Sequence, residues 1–217
     1  MFITFEGLDG VGKTTQVRML QQALIGLQHN VLVTREPGGT RIGARIRSLL
    51  LDERNSDLTP TAELFLYLAD RSQHLAEVIL PALKSGKWVL CDRFVDATIA
   101  YQGYARGGDI GWISELNARA TGSLSPDLTF LLDCPVEVAL GRIRHRNNAA
   151  SGRLSEKRFD MERIEFHRKV REGYLALAGS SNGKARYRVV DASRSAEAIH
   201  RVLLLEVLDR LRVYERN

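Results

Sequence analysis

The chain has 217 residues, 44% of them hydrophobic and 26% charged, and its 31 Lys and Arg exceed its 26 Asp and Glu to give a formal net charge of +5. This composition excludes the fibrous and intrinsically disordered classes, and the length favours one domain with a full hydrophobic core. The mild basic excess suits a polyanionic ligand, but no run of Lys or Arg predicts a nucleic-acid-binding tail, and no apolar run reaches the roughly 18 residues of a membrane-spanning helix.

The sequence contains two cysteines, Cys91 and Cys134, which are too few for a disulfide framework. Each lies in an apolar, strand-like segment, where a cysteine usually behaves as a small buried hydrophobic residue. The first residues also lack a basic segment followed by an apolar one. We therefore expect a cytoplasmic protein.

Short apolar segments alternate with longer amphipathic segments along the chain. The apolar segments, which we predict to be strands, are Phe2–Phe5, Val31–Thr34, Trp88–Cys91, Leu128–Leu132 and Arg186–Val190. The segments with clear helical spacing are Gln16–Leu27, Thr61–Leu83 and Ala196–Leu211. Apolar strands with little polar alternation are typical of a parallel sheet that is buried on both faces. The order predicts an α/β fold of three layers, a doubly wound five-stranded parallel sheet with helices on both faces, in a single domain over residues 1–217.

A glycine-rich segment follows the first predicted strand and precedes the first predicted helix. It reads Gly7-Leu8-Asp9-Gly10-Val11-Gly12-Lys13-Thr14 and matches the phosphate-binding loop, or P-loop, G-x-x-x-x-G-K-[ST]. We expect its N–H groups and the next helix N-terminus to bind phosphates, with Lys13 at the β- and γ-phosphates and the Thr14 hydroxyl on Mg²⁺. The motif predicts a nucleoside triphosphate site, but it does not separate GTPases, ATPases, motor proteins and small-molecule kinases.

Arg35 and Glu36 come directly after the second predicted strand, beside a turn at 37–39, and Arg47 lies on a predicted helix farther along. Ligands of doubly wound sheets bind at the carboxyl ends of strands. An arginine suits a phosphate, and a glutamate suits a sugar hydroxyl or a base N–H. Taken singly, however, an exposed arginine is more often part of a solvated surface.

Two further pairs of residues are candidates for ligand contacts. Tyr67 and Arg71 lie one helical turn apart, so they could stack on a base and hydrogen-bond it, although spacing alone favours a core tyrosine and a surface arginine. Asp92 ends the third predicted strand, where a carboxylate meets Mg²⁺ or its water shell in P-loop proteins. Arg93 beside it would face the phosphates.

Basic residues crowd the region around residues 147–152, the segment best suited to be a mobile loop. They are Arg142, Arg144, Arg146, Arg153, Lys157 and Arg158. A basic lid over about 142–158 would exclude water and offset the negative charge that develops during phosphoryl transfer. The alternative is a solvated helix face.

Several separate motifs follow one another along the chain, from near residue 2 to near residue 205. The motifs are Phe5-Glu6-Gly7-Leu8-Asp9-Gly10 through Thr15, Thr34-Arg35-Glu36-Pro37-Gly38-Gly39-Thr40, Leu68-Ala69-Asp70-Arg71, Asp92-Arg93-Phe94 with Ala100-Tyr101-Gln102-Gly103, Pro126-Asp127-Leu128-Thr129, Phe166-His167 with Gly173-Tyr174, and Asp191-Ala192. In their order and spacing the chain resembles bacterial thymidylate kinases, a family of P-loop nucleoside monophosphate kinases. The resemblance implies transfer of the γ-phosphoryl group of ATP to dTMP, giving dTDP and ADP for dTTP biosynthesis. It also implies Mg²⁺ as cofactor and a cytoplasmic homodimer with neither a nucleic acid nor a membrane as partner.

The resemblance further implies roles for individual residues. Those implied to bind dTMP are Asp9, Arg35, Glu36, Arg47, Tyr67, Arg71, Arg93, Thr98, Tyr101 and Gln102. Among them, Tyr67 would stack on thymine, Arg71 would hydrogen-bond the base, and Tyr101 would pack against the deoxyribose. Those implied to bind ATP are Gly7, Leu8, Asp9, Gly10, Val11, Gly12, Lys13, Thr14, Thr15, Arg142, Asp191 and Ala192. The implied catalytic residues are Lys13, Arg93, Arg146, Arg153 and Arg158, and the implied Mg²⁺ ligands, direct or through water, are Thr14 and Asp92.

The chain departs from the family pattern in three places. The lid ends in Lys157-Arg158-Phe159-Asp160 where Asp-Arg-x-Glu is common, residues 147–152 form an insertion, and Ala44 replaces a common Glu. These departures leave open which lid arginine acts. Three rival interpretations also stay open: a kinase for another deoxynucleotide or nucleoside, an ATP-driven switch that binds DNA or protein, and a degenerate kinase that binds nucleotides without turnover.

Overall fold

The computed structural model describes residues 1–149, 158–159, 162–181 and 183–214. Within these residues, five parallel strands form one sheet in the order β2-β3-β1-β4-β5. The strands are β1 (Phe2–Glu6), β2 (Val31–Arg35), β3 (Trp88–Asp92), β4 (Leu128–Asp133) and β5 (Tyr187–Asp191). The predicted α/β class and five-stranded parallel sheet are confirmed, and each predicted strand lies within one residue of the observed one.

Helices occupy the connections between the strands, and one more helix follows β5. They are α1 (Lys13–Gly26), α2 (Arg41–Leu51), α3 (Pro60–His74), α4 (Leu80–Lys84), α5 (Val95–Thr98), α6 (Ile110–Thr121), α7 (Val136–Ala149), α8 (Ile164–Gly179), α9 (Gly183–Arg186) and α10 (Ala196–Tyr214). A π-helical turn at Leu75–Ile79 joins α3 to α4, and another at Ile99–Ala105 continues α5. The helix predicted over Thr61–Leu83 is therefore not regular throughout, because Pro81 has no N–H to donate to the preceding turn.

The sheet is covered by side chains on both faces, because successive residues of a strand point to opposite sides. Along β1, Ile3 and Phe5 belong to one hydrophobic cluster, whereas Phe2 belongs to another, with Val89 and Cys91. All of β1 is buried, which explains its apolar sequence. Since β2, β3 and β1 are neighbours, their carboxyl ends bring the P-loop and the segments after Arg35 and Asp92 to one edge of the sheet.

Helix α7 includes the first residues of the predicted lid. It continues through Ala149, so residues 147–149 are helical and the prediction that a loop begins at Asn147 is wrong. Asn is only moderately unfavourable inside a helix, and Ala favours one, so the sequence there does not end α7. Arg153, Lys157 and Asp160 lie outside the described residues.

Both cysteines are unpaired and buried, as predicted. No helix in the described part of the chain is both long enough and apolar enough to span a membrane.

Candidate active site

The P-loop connects β1 to α1 through a backbone that requires glycine. Gly7, Gly10 and Gly12 all have positive φ, at 127°, 81° and 98°. A Cβ at Gly7 would collide with the carbonyl of Leu132, and a Cβ at Gly10 with that of Ala139. No side chain caps the start of α1 at Gly12, so its first N–H groups are available to an anion.

Lys13 lies inside the P-loop. Its ammonium group donates to the carbonyls of Gly7 at 3.1 Å and Leu8 at 2.7 Å, and the residue is only 6% exposed. Burial and the positive charge of Arg93 lower the pKa of Lys13 from its ordinary value. Lys13 is thus a buried cation whose position the loop itself fixes.

Thr14 and Asp92 meet where β1 and β3 end. The Thr14 hydroxyl donates to a carboxylate oxygen of Asp92 at 3.0 Å. A hydroxyl and a carboxylate beside a P-loop are oxygen donors of the kind that Mg²⁺ prefers, so the residues present fit that ion.

Arg93 connects the P-loop to the segment that follows α5. Its guanidinium donates to Asp9 at 2.9 Å and to the Tyr101 hydroxyl at 3.1 Å, and it lies over the Tyr101 ring. The Tyr101 hydroxyl also donates to Asp9, at 3.3 Å. Burial opposes ionisation of Asp9, but the charges of Arg93 and Lys13 prevail and hold its pKa below the ordinary value. The structure therefore brings together Asp9, Arg93 and Tyr101, which are distant in sequence.

Two residues that sequence reasoning assigned no role hold Arg93 in place. Arg93 has φ of 71°, a left-handed conformation that is uncommon for a residue with a side chain. The Glu6 carboxylate accepts from the next backbone N–H, that of Phe94, at 2.7 Å, and from the Tyr174 hydroxyl at 2.9 Å. Tyr174 in turn accepts from Arg93 at 2.8 Å. The signal in the sequence was an ionisable residue, Glu6, at the end of an otherwise uncharged strand.

The burial of Glu6 predicts an unusual pH dependence of stability. Burial, reinforced by the carboxylate of Asp96, raises the pKa of Glu6 to about 8. The folded protein thus binds this proton more tightly than the unfolded chain, so the free energy of unfolding falls as pH rises from about 5 towards 8. Relative to Glu6→Gln, which cannot titrate, we expect the wild-type protein to lose about 1 kcal/mol per pH unit in that window. Urea unfolding of both proteins at several pH values measures this difference, and parallel pH profiles would contradict it.

Arg71 is buried in a network that involves four segments of the chain. Its guanidinium donates to Glu36 at 2.8 Å, Thr98 at 2.9 Å, Asn117 at 2.5 Å and the Phe94 carbonyl at 2.9 Å. Arg71 is 1% exposed, so the surface interpretation that spacing alone favoured is wrong. Such burial is tolerated because the charge is paired and hydrogen-bonded.

His74 supports the same network from the next turn of α3. Its two ring nitrogens contact Glu36 at 3.0 Å and the Thr34 hydroxyl at 2.6 Å. His74 and Asn117 were not among the predicted site residues. Helical spacing could have identified Asn117, because it lies between the buried Ile113 and Thr121 on one face of α6.

Tyr67 lies at the edge of the main hydrophobic cluster, partly buried. Burial and the charge of Glu63 raise the pKa of its hydroxyl above the ordinary value, and Arg93 and Arg47 exert the opposite effect. Arg47, on α2, donates to the carbonyl of Pro37 at 3.0 Å.

Three further predicted residues, Arg35, Gln102 and Arg158, differ in their surroundings. Arg35 is exposed at the end of β2. The Gln102 amide is buried and donates to Glu63 at 2.8 Å. Arg158 pairs with the same Glu63 carboxylate at 2.6 Å and also donates to the carbonyl of Leu50 at 3.2 Å. The Arg158 side chain therefore contacts α2 through Leu50 and α3 through Glu63.

Outside the P-loop, the residues predicted to bind ATP lie on α7 and around the end of β5. Arg142 donates to the carbonyl of Ala192 at 2.8 Å, which joins the two segments. Asp191 accepts from the backbone N–H of Ser193 at 2.9 Å. Arg146 is exposed on α7, and Arg153 lies outside the described residues.

Comparison with known proteins agrees with the motifs and the fold. The family model described as Thymidylate kinase matches residues 5–203. A curated thymidylate kinase of Geobacter sp. (strain M21) is 56% identical over 192 residues, covering 88% of this chain and 84% of the relative. One of Geotalea uraniireducens (strain Rf4) is 52% identical over 210 residues, covering 97% of both chains. The crystal structure of thymidylate kinase from Ehrlichia chaffeensis superposes with a TM-score of 0.75 at 34% identity, covering 97% of this chain and 98% of that one.

Proposed function

Because the chain belongs to the thymidylate kinase family, we propose that it transfers the γ-phosphoryl group of ATP to dTMP, giving dTDP and ADP for dTTP biosynthesis. Family membership makes the protein an ATP-dependent kinase. The observation that supports the proposed acceptor site best is the ion pair between Arg93 and Asp9 at 2.9 Å, because it joins the P-loop to Tyr101. Donor and acceptor phosphates would meet at this pair.

The proposed chemistry depends on charge and position. An acceptor phosphate is already anionic near neutral pH, so the transfer needs no general base. Lys13 would bind the β- and γ-phosphates, while Arg93, Arg35 and Arg47 would bind the acceptor phosphate. Arg146, Arg153 and Arg158 are the lid arginines from which further stabilisation of the transition state would come. Thr14 and Asp92 would hold Mg²⁺, which when bound neutralises phosphate charge.

The buried network around Arg71 would select the nucleoside. Tyr67 would stack on thymine, and Arg71, positioned by Glu36, would hydrogen-bond the base. Thr98 would help to read the edge of the pyrimidine. Tyr101 would pack against the deoxyribose, with Asp9 and Glu36 near the 3′-hydroxyl and the acceptor phosphate and Gln102 at the same wall. The other residues proposed to bind ATP are Gly7, Leu8, Gly10, Val11, Gly12, Thr15, Arg142, Asp191 and Ala192.

The proposal is tested by following ADP release from Mg·ATP with dTMP, dUMP, dCMP, dGMP or thymidine as acceptor. We expect fast release with dTMP, slower release with dUMP and little with thymidine, because thymidine has no 5′-phosphate for the arginines to bind. ADP release that is the same with every acceptor and without any would overturn the proposal and favour an ATP-driven switch.

We also propose that the enzyme is a cytoplasmic homodimer. Its two buried, unpaired cysteines suit a reducing compartment. Phe65 on α3 and Trp112 on α6 are 48% and 43% exposed, and the centroids of their rings are 6.0 Å apart in an edge-to-face arrangement. A second copy of the chain is the proposed partner of this aromatic pair.

Sedimentation equilibrium should give about twice the chain mass of 24.3 kDa for the wild-type protein. A Phe65→Glu, Trp112→Glu variant should give about the mass of one chain. The mass of one chain for the wild-type protein would contradict dimerisation.

A further inference from the structure

Among the described residues, Asn117 is one of a few buried side chains with a polar atom that lacks a hydrogen-bond partner. Asn117 is 3% exposed, and its side-chain oxygen accepts from Arg71 at 2.5 Å, yet its side-chain nitrogen has no hydrogen-bond partner. The orientation of the amide follows from chemistry, because a guanidinium only donates and the oxygen must therefore face it. Burying an unpaired amide nitrogen lowers stability, so a purely structural role does not explain an asparagine here.

Asn117 completes a set of acceptors around Arg71. A guanidinium has five N–H groups. Among the described residues, acceptors for four of them come from Glu36, Thr98, Asn117 and the Phe94 carbonyl. Thr98 and Asn117 both bind Nη1, and Phe94 binds Nη2, so the one remaining N–H is on Nη2. A cation held this way offers one donor in a fixed direction.

We propose that Asn117 is a positioning residue for nucleotide selection, which orients Arg71 so that its remaining N–H donates to the 4-keto oxygen of the pyrimidine. The inference rests on the proposed function, in which Arg71 contacts the base. A donor-only group pairs with the keto oxygen at position 4 of thymine or uracil, whereas cytosine has an amino group at that position, which also donates. Fixing the guanidinium therefore improves binding of dTMP and dUMP and does nothing for dCMP.

Asn117→Leu and Asn117→Asp form a matched pair of tests, because both side chains have the same branched arrangement of four heavy atoms as asparagine. Leucine removes the acceptor together with the unpaired nitrogen, whereas aspartate keeps an acceptor for Arg71. We expect Asn117→Leu to raise the KM for dTMP about tenfold, since it removes one hydrogen bond to a charged group. The kcat for dTMP, the KM for ATP and the kcat/KM for dCMP should stay within about twofold, so the preference for dTMP over dCMP falls about tenfold.

The thermal stability of the variants separates a positioning role of Asn117 from a structural role. Asn117→Leu removes one buried unpaired group, the amide nitrogen, and creates another, the Arg71 N–H that loses its acceptor. Because the number of buried unpaired groups does not change, the melting temperature should stay within a few degrees of the wild-type value. Asn117→Asp should keep the KM for dTMP within about threefold, because its carboxylate oxygen replaces the amide oxygen at Arg71.

The possible results separate failure of the inference from failure of the proposed function. If the wild-type enzyme does not prefer dTMP to dCMP, the proposed function fails. If the wild-type enzyme has that preference and Asn117→Leu retains it, the inference is overturned. A loss of activity with dTMP and dCMP alike, accompanied by a lower melting temperature, would also overturn the inference, since it indicates a structural role.

Discussion

Lys13→Met should lower kcat with dTMP by about 100- to 1,000-fold, because it removes the cation expected to stabilise charge on the transferred phosphoryl group. Methionine matches the length and flexibility of the lysine stem, so the P-loop keeps its packing. Lys13 is buried, and burial lowers its pKa, so its charge is held at a cost to stability. We therefore expect a melting temperature within a few degrees of the wild-type value. Steady-state kinetics and thermal unfolding of the same preparation measure both quantities.

The control for this prediction is Lys84→Met, which changes an exposed lysine at the end of α4, far along the chain from the P-loop. Its kcat should equal that of the wild-type enzyme. If Lys13→Met retained more than about a tenth of the wild-type kcat, Lys13 would not stabilise the transition state to the extent that the P-loop chemistry requires.

Arg71→Met should destabilise the fold by about 3 kcal/mol, because it leaves the Glu36 carboxylate buried without its cation. Both side chains of this pair are at most 2% exposed. For a chain of this size, the loss corresponds to a fall in melting temperature of about 6–12 °C. The KM for dTMP should also rise sharply, since Arg71 is the proposed base contact.

The double variant Glu36→Gln, Arg71→Met separates the two effects. It removes both charges, so most of the lost stability should return, while the KM for dTMP should stay high. Thermal unfolding and kinetics of the two single variants and the double variant form a complete cycle. If the losses of stability in the single variants add up to the loss in the double variant, Glu36 and Arg71 do not stabilise each other. A normal KM for dTMP in the double variant would show that Arg71 does not contact the base.

The sheet could be predicted because its strands are chemically simple. Strands such as β1, β3 and β4 are buried on both faces, and this makes each one a short apolar segment whose ends are visible in the sequence. The P-loop could be predicted for a related reason, since its glycines are required by local backbone geometry and by close contact with β4 and α7. The backbone requirement acts within a few residues, so it leaves a readable pattern of glycines.

The network around Arg71 could not be predicted, because its partners come from distant segments. Glu36, Phe94, Thr98 and Asn117 are 35, 23, 27 and 46 residues from Arg71 in the sequence. Nothing local to α3 distinguishes a buried arginine from an exposed one, so spacing alone favoured the surface. Glu6 and Tyr174 were missed for the same reason. Tyr174 bonds Arg93, and Glu6 bonds Tyr174 and the backbone N–H of Phe94, but these residues lie far apart in the sequence and meet only in the folded chain.

The central claim is that the γ-phosphoryl group passes from ATP to dTMP within this site. The most direct measurement uses ATP labelled at the γ-phosphate and follows the label in the products. We predict that the label appears in the β-phosphate of dTDP, only when dTMP is present, and that Lys13→Met slows its appearance. Label released as inorganic phosphate at the same rate with or without dTMP would contradict the claim.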